Sequence, residues 1–320
     1  MHLTGYVLQR LLRGLVTFWF AVTVTFFLVR LLPGDPVLAV ASPSMTEEIR
    51  LRMLQEFGLD RPLAVQYFSY LRELVQGNLG ISFLRSQPVT TVLMERLPWT
   101  LLLTGTALVL TVLLGIPLGV LSATRARGWV DQVVQVAGVV GQSLFVPSIG
   151  IFLLYTLGLM AGIFPIGGAV KSGLTGINWF LSVAHHLVLP CLTLVMAQLA
   201  AYVLTLRSTL IEALGEEYCD LARAKGTPER KVVWKHALRN ALLPTTTLIG
   251  LQIGFLVGGA VLTETIYAYP GVGRAIFEAV GQLDFPVLQG AFVLLAATVV
   301  LANLLTDLVY GLLDPRVRAG

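Results

Sequence analysis

The chain has 320 residues, of which 56% are hydrophobic and only 12% charged, and its mean hydropathy is +0.80. Soluble domains carry roughly 25% charged residues, so a water-soluble fold of this length would have too few charges to cover its surface, and the composition is that of an integral membrane protein. It excludes collagen, coiled coil and intrinsic disorder, since there is no Gly-X-Y period and no charged low-complexity tract; the net charge of +4 matters by its location rather than its size.

A bilayer core about 30 Å thick needs roughly 20 apolar residues, and six uncharged windows meet or approach that length. The first, 14–29, is short, but Arg10, Arg13 and Arg30 can snorkel from its ends and Leu31-Leu32 extends it. Ala39-Val40-Ala41 resembles a signal cleavage site, yet the apolar stretch is too long and Arg30 and Pro33-Gly34-Asp35-Pro36 intervene, so the segment reads as a span. The second window, 97–124, has no charge. The third, 132–170, is long enough for a span plus an excursion. The others are 187–206, 240–263 and 285–306.

Lys and Arg set the orientation. With the N-terminus inside, thirteen basic residues fall in inside segments, seven of them in the connection between the fourth and fifth spans. The two short outside loops carry only Lys171 and Arg274. The remaining seven are Arg30 and six in the first loop, which at about 65 residues is too long to determine topology reliably. Both termini are therefore expected to be cytoplasmic.

Two connections carry most of the information. In the first, 33–98, Ser44-Met45-Thr46-Glu47 has capping-box spacing and predicts a helix to about Phe57 with Gly58 as its left-handed cap. Pro62 suits the first residue of a second helix, closed by Gly77. In the other, 207–240, a helix through Tyr218 to Lys225 would stop at Gly226, and Thr227-Pro228 would restart the chain as N-cap and first turn. Seven basic residues there face Glu212, Glu216, Glu217, Asp220 and Glu229; a solvated surface facing lipid headgroups accounts for such charges by itself.

The run Glu217-Tyr218-Cys219-Asp220-Leu221-Ala222-Arg223-Ala224-Lys225-Gly226, continued by His236-Ala237-Leu238-Arg239-Asn240-Ala241-Leu242-Leu243-Pro244, resembles the cytoplasmic coupling loop of ABC importer permeases. More narrowly it resembles the B-type permease subunit of the dipeptide/oligopeptide (nickel) uptake family. Leu31-Leu32-Pro33-Gly34-Asp35-Pro36, Leu59-Asp60-Arg61-Pro62-Leu63, Gly77-Asn78-Leu79-Gly80-Ile81-Ser82, Glu264-Thr265-Ile266-Tyr267 with Pro270-Gly271-Val272-Gly273, and the ending Leu313-Asp314-Pro315-Arg316-Val317-Arg318 resemble that family in order and spacing. The general importer loop opens with Glu-Ala-Ala, where this chain has Asp220-Leu221-Ala222; Gly226 is kept, and His236-Ala237-Leu238-Arg239 is the peptide-family version of the later segment. The shared motifs do not distinguish peptide, nickel, glutathione or other cargo.

The resemblance implies an all-α type I importer permease: a first span (1–32), an extracytoplasmic loop domain (33–98), a permease core (98–313) containing the coupling loop, and a short tail (314–320). It implies a second, homologous permease subunit, two ATPase subunits or domains carrying ATP and Mg, and an extracytoplasmic solute-binding protein, in a bacterial or archaeal cytoplasmic membrane; it implies no nucleic-acid partner. The chain itself has no Gly-Lys dipeptide, so GxxxxGK[ST] cannot be written and any nucleotide must bind another subunit. No catalytic or metal-binding role falls to it. The residues from Glu217 through Tyr218, Asp220, Leu221, Ala222, Arg223, Ala224, Lys225 and Gly226 to Thr227 and Pro228 would form the ATPase-docking surface, with Gly226 allowing the chain reversal and Arg223 and Lys225 offering charge. The loop 33–98 and the segment 167–184 are the candidates for meeting the binding protein.

Within the spans, Gly250, Gly254 and Gly258 share one helical face, as do Gly115 and Gly119, where another helix can approach closely. That helix can belong to the same chain or to a second subunit. Pro117 and Pro147 interrupt their spans, and each frees a carbonyl that needs another partner. Gln142, Ser143, Gln198 and Gln252 are the polar candidates for the pathway or for interhelical bonds. His185-His186 resembles a metal-ligand pair, but neighbouring histidines point in different helical directions at a membrane boundary. Cys191 and Cys219 have no CxxC spacing. A stand-alone secondary carrier is the competing class; such carriers usually place charged residues mid-span, and these windows are nearly charge-free.

Overall fold

The computed structural model of the chain describes residues 3–31, 60–255 and 260–313. The helix expected between Ser44 and Gly58, Gly258 and the tail lie outside the described residues. In chain order the helices are α1 (Leu3–Leu31), α2 (Leu63–Val75), α3 (Val89–Thr124), α4 (Trp129–Ser143) and α5 (Val146–Leu153), which runs on as a π-helix, Leu154–Met160. Next come α6 (Gly176–Leu214), α7 (Glu217–Ala224) and the single turn α8 (Glu229–Lys231), which passes through a second π-helix, Val232–Ala237, into α9 (Leu238–Phe255). Last are α10 (Val261–Ile266), α11 (Val272–Gly281) and α12 (Phe285–Leu313). Among the described residues the sole β pairing is one bridge between Ile81 and Pro88.

Four of these helices are long and apolar enough to cross a membrane, within α1, α3, α6 and α12, or five if α4 and α5 count as one broken span. That pair bends by 100°, because Leu144 and Phe145 are extended and the chain restarts with Pro147 in the first turn of α5, where its missing N–H costs nothing. The apolar window 132–170 is therefore a span that breaks and turns. Pro117, by contrast, sits inside the unbroken α3. The fifth window corresponds to α9, whose opening Leu238-Arg239-Asn240 and three consecutive threonines lower its apolar content over the described residues. The helices also outrun the uncharged windows, since backbone hydrogen bonding continues past the last apolar residue.

The chain divides into two compact units, Met1–Thr100 with Pro270–Gly320, and Leu101–Tyr269. In the first, α1 packs along α12, where Gly14 leaves only 3.1 Å between a would-be Cβ and Val300. α2 is seated on the end of α1 by aromatic contact, Phe26 stacking on Tyr70 at 5.5 Å, and by the Thr23–Tyr67 hydroxyl pair at 2.7 Å. Pro62, expected as its first residue, is its N-cap, so the helix starts one residue later, at Leu63. Gly77, at φ +77°, closes it as expected: the Asn78 N–H donates to the Glu73 carbonyl and the Gly77 N–H to Leu74, the two bonds of a Schellman end. Buried Asp284 accepts from the Ser82 hydroxyl and the Phe83 N–H, while Glu278 receives Arg85, Arg96 and Arg274. Through Ser82, Phe83 and Arg85 these bonds hold the 78–88 segment to α11 and to Asp284 just before α12, while Arg96 joins α3 to α11.

In the second unit α6 is the central helix, with α4 and α9 packed on it. The small residues of α3 and α4 set the distances. A Cβ on Gly115 would lie 3.2 Å from Tyr202, and one on Gly119 would lie 3.0 Å from Leu206. The spacing of four on both helices makes this a continuous seam. The Gly115/Gly119 ladder therefore serves packing within this chain. Tyr267 closes the other end of the unit: its hydroxyl donates to the Gly150 carbonyl at 2.9 Å and shares a bond with Thr193.

Candidate functional site

The loop that follows α6 is short and stiff. Glu216 is extended at the N-cap, α7 makes two turns, and Gly226 at φ +76° reverses the chain. The Gly226 N–H donates to the Arg223 carbonyl at 2.9 Å and the Thr227 N–H to Ala222 at 3.1 Å, again a Schellman end. Pro228, rather than Thr227, is the N-cap of α8, and its carbonyl accepts from Lys231 and Val232.

One side of α7 is fixed to the membrane helices. Cys219 and Ala222, three residues apart and so on one face, are buried against Leu210 and Ala213 of α6, Val233 of the π-helix and Ala123 at the end of α3. The Cys219 thiol donates to the Ala213 carbonyl at 3.2 Å, and burial pushes its pKa up. The opposite side is open: Glu217, Tyr218, Asp220, Leu221, Ala224, Lys225 and Gly226 are exposed, and Leu221 is 56% exposed. An exposed leucine on a polar loop, with Tyr218 and Lys225 beside it at helical spacing, forms an apolar knob with a cationic edge.

Arg223 belongs to neither side. It grips Glu229 with two nitrogens at 3.2 and 3.0 Å across the Gly226 turn, and its third donates to Asp220 at 2.8 Å and to the Leu214 carbonyl. Glu229 and Asp220 hold the guanidinium pKa up, and Arg223 holds the Glu229 carboxyl below its ordinary range. Of the two cations expected to offer charge outward, Arg223 is thus spent inside the loop. Lys225 is exposed and makes no ion pair among the described residues.

Below the loop lies a feature that sequence reasoning missed. Asp131, in the first turn of α4, is fully buried. It accepts a two-pronged grip from Arg207 of α6, one prong at 2.8 Å, the Ser122 hydroxyl of α3 at 2.6 Å and the Arg127 N–H at 2.8 Å. Arg207 counts in the sequence as one of the loop cations and Asp131 falls one residue before an uncharged window; nothing in the local pattern pairs residues 76 apart.

The pathway candidates are dispersed. Gln142 and Ser143 are exposed at the end of α4, next to the break, with the Ser143 hydroxyl donating to its own helix at Val139. Gln198 is half-buried on α6 and Gly250 buried on α9. Gln252 and Gly254 belong to α9, but their side-chain surroundings, like Gly258, lie outside the described residues. His185 and His186 each bond a backbone carbonyl, Ile163 and Ser182, at 2.9 and 2.7 Å, with ring centroids 6.5 Å apart.

Among the described residues the chain is a helical membrane protein in which a short helix is seated on the ends of α3 and α6 with its outer face open. Residues 115–319 match the family described as "binding-protein-dependent transport system inner membrane component", and residues 3–104 its N-terminal counterpart. The chain is 36% identical to the probable peptide ABC transporter permease protein y4tP of Sinorhizobium fredii, covering 98% of this chain and 99% of that one. It is likewise 36% identical to the oligopeptide transport system permease protein AppB of Bacillus subtilis (99% and 100%) and to the dipeptide transport system permease protein DppB of Escherichia coli (98% and 98%). The chain belongs to this family of ABC transporter permeases.

Proposed function

We propose that this permease forms half of the translocation pathway of an ATP-driven importer for dipeptides or oligopeptides. A second, homologous permease would supply the other half, an extracytoplasmic binding protein would deliver cargo, and two ATPase subunits would bind ATP and Mg and perform the hydrolysis. Both termini and the α7 loop would face the cytoplasm, as the distribution of Lys and Arg favours. The observation that carries the reading is α7, seated through Cys219 and Ala222 on α3 and α6 while Tyr218, Leu221 and Lys225 face outward. A groove closing on that knob displaces a rigid body, so ATP-driven closure reaches the spans as a coupling free energy between ATP state and permease conformation.

The peptide assignment is supported by full-length similarity to permeases whose names specify peptide, oligopeptide and dipeptide. Similarity at 35% to the glutathione transport system permease GsiC of Salmonella typhi favours a second reading, glutathione, itself a tripeptide. Gentle purification of the tagged chain from native membranes tests the assembly: an ATPase, a second permease and a binding protein should accompany it. Vesicles containing that complex should take up a labelled dipeptide only with ATP inside, and competition by glutathione or by longer peptides ranks the cargo. A chain that emerges alone and transports without ATP would overturn the reading.

A further inference from the structure

We infer that the buried Asp131–Arg207 pair is a transmission strut that fixes the axial register of α4 against α6, so that a displacement of α7 reaches the broken α4–α5 pair. The inference rests on the importer reading above and deepens it by assigning positioning residues on the route from the docking loop into the membrane.

α4 and α6 run antiparallel. Asp131 meets Arg207 at one end. Further along, a Cβ built on Gly138 would lie 3.2 Å from Leu204, and one on Gly141 would lie 3.7–3.8 Å from the Met196 carbonyl oxygen and Ala200. Those later contacts are close packing, whose individual atom pairs are weak and have no directional preference. The guanidinium fork does: two parallel N–H···O bonds hold a carboxylate in one geometry. With the Asp131 side chain 1% exposed and Arg207 at 20%, the pair is desolvated, and a buried ion pair is a poor device for stability alone because replacing both partners by apolar groups is often neutral. Its attested use is to specify register.

The pair also sits where register matters. Arg207 lies between Leu206 and Leu210, and both of these belong to the apolar cluster that holds Cys219 and Ala222 of α7. Ser122 and the Arg127 N–H bring the end of α3 and the α3–α4 turn to the same carboxylate. A push on α7 moves Leu206, Leu210 and Arg207 as one body, and the carboxylate passes that movement to α4. At the far end of α4 stands the break at Leu144–Phe145, beyond which α5 turns away by 100°. Without the strut, the register of α4 on α6 would rest on close packing such as that at Gly138 and Gly141.

The test uses the whole complex in vesicles, with a thiol placed by Gln142→Cys at the exposed far end of α4; Cys191 and Cys219 are buried. The readout is the rate of maleimide labelling with and without ATP plus vanadate, beside the rate of ATP hydrolysis. Asp131→Leu with Arg207→Met removes the pair without stranding a charge. The ATP-dependent change in labelling should shrink by about fivefold or more, the range of ordinary coupling energies, while hydrolysis continues. Arg207→Lys, which keeps the charge but not the fork, should give an intermediate loss in an assembled complex. It also decides the matter if the double variant does not assemble. A double variant, or failing that an Arg207→Lys variant, with an undiminished ATP-dependent change overturns the strut, as does a parallel fall of hydrolysis and labelling change. No ATP-dependent change in the unaltered pair would also overturn the strut, whereas uptake by the same vesicles that does not need ATP would overturn the importer reading instead.

Discussion

Gly226 separates backbone strain from docking. It sits at φ +76°, and a Cβ built there meets no atom of the chain within 4 Å. Within this chain, therefore, a Cβ at 226 meets no steric block, and the conformational penalty of about 1–2 kcal/mol for a left-handed residue is alike for Ala and Trp and smaller for Asn, which tolerates that conformation best. Gly226→Asn, Gly226→Ala and Gly226→Trp should insert into the membrane alike. Ala and Trp should lower the melting temperature of the purified chain by the same amount, and Asn by less. If the outward face of α7 and its turn fit a groove in an ATPase, the indole meets that partner and the methyl group barely does. Co-purification of the ATPase and ATP-driven uptake should then survive in the Asn and Ala variants, reduced at most by about tenfold from a 1.4 kcal/mol strain, and be lost in the Trp variant. A Trp variant that binds the ATPase and transports as the Ala variant does would refute docking at this turn.

Gly119→Val places carbon into Leu206, already 3.0 Å from a bare Cβ, and should cost about 1–3 kcal/mol by thermal melting in detergent; Leu206→Ala should recover part of it, and strictly additive losses would show that the two do not share a seam. Gly290→Ala drives its methyl to 2.5 Å from Val89 and should destabilise by a similar ~1–3 kcal/mol, relieved by Val89→Ala in a double-mutant melt. Because Arg223 lowers the Glu229 pKa from its ordinary 4.5, the clamp across the turn contributes fully above that ordinary value and is lost as pH falls through the lower, folded one. Hydrogen exchange across residues 217–231 should accelerate only under such acid conditions in the parent, and at neutral pH in Glu229→Gln. Equal protection in both at neutral pH would remove the clamp's role.

What the sequence made legible was whatever is local. The helix ends at Gly77 and Gly226 follow from one residue's tolerance of positive φ, and both stand where expected. The Gly115/Gly119 spacing announced a close approach but not its partner, because the facing positions, Tyr202 and Leu206, carry no mark of their own. The 100° break after Ser143 was visible only as an overlong apolar window: Pro147 looks like an interruption, and only the extended Leu144 and Phe145 turn it into a change of direction. Asp131–Arg207 was out of reach for the opposite reason, since the pair is made by folding and neither charge is anomalous at the edge of an apolar window. Glu278 and Asp284 hide in the same way, as ordinary acidic residues that folding surrounds with Arg85, Arg96, Arg274 and Ser82.

The role of Arg223 shows what that difference does to mechanism. Read along the chain, Arg223 and Lys225 are two cations beside a turn, equally available to a partner. In the fold, Arg223 is bonded to Glu229, Asp220 and the Leu214 carbonyl, so it ties the start of α8 and the end of α6 to α7. Exposed ion pairs of this kind add little stability singly, but a fork that spans the four-residue connection 225–228 restrains α7 from pivoting about Gly226. A lever must be stiff before a push at one end moves the other. With Cys219 and Ala222 anchored below and Arg223 bracing the turn, the proposed closing of a groove on Tyr218, Leu221 and Lys225 would deliver its force to α6 instead of losing it in the loop. Recognition would then fall to the apolar knob and Lys225 at its edge. Leu221→Asp should accordingly abolish ATPase binding while leaving the loop folded, whereas Arg223→Gln should leave binding largely intact and weaken the transport obtained from each ATP. Binding isotherms and uptake-to-hydrolysis ratios on the same two variants separate those outcomes, and loss of binding in Arg223→Gln would return the arginine to the docking surface.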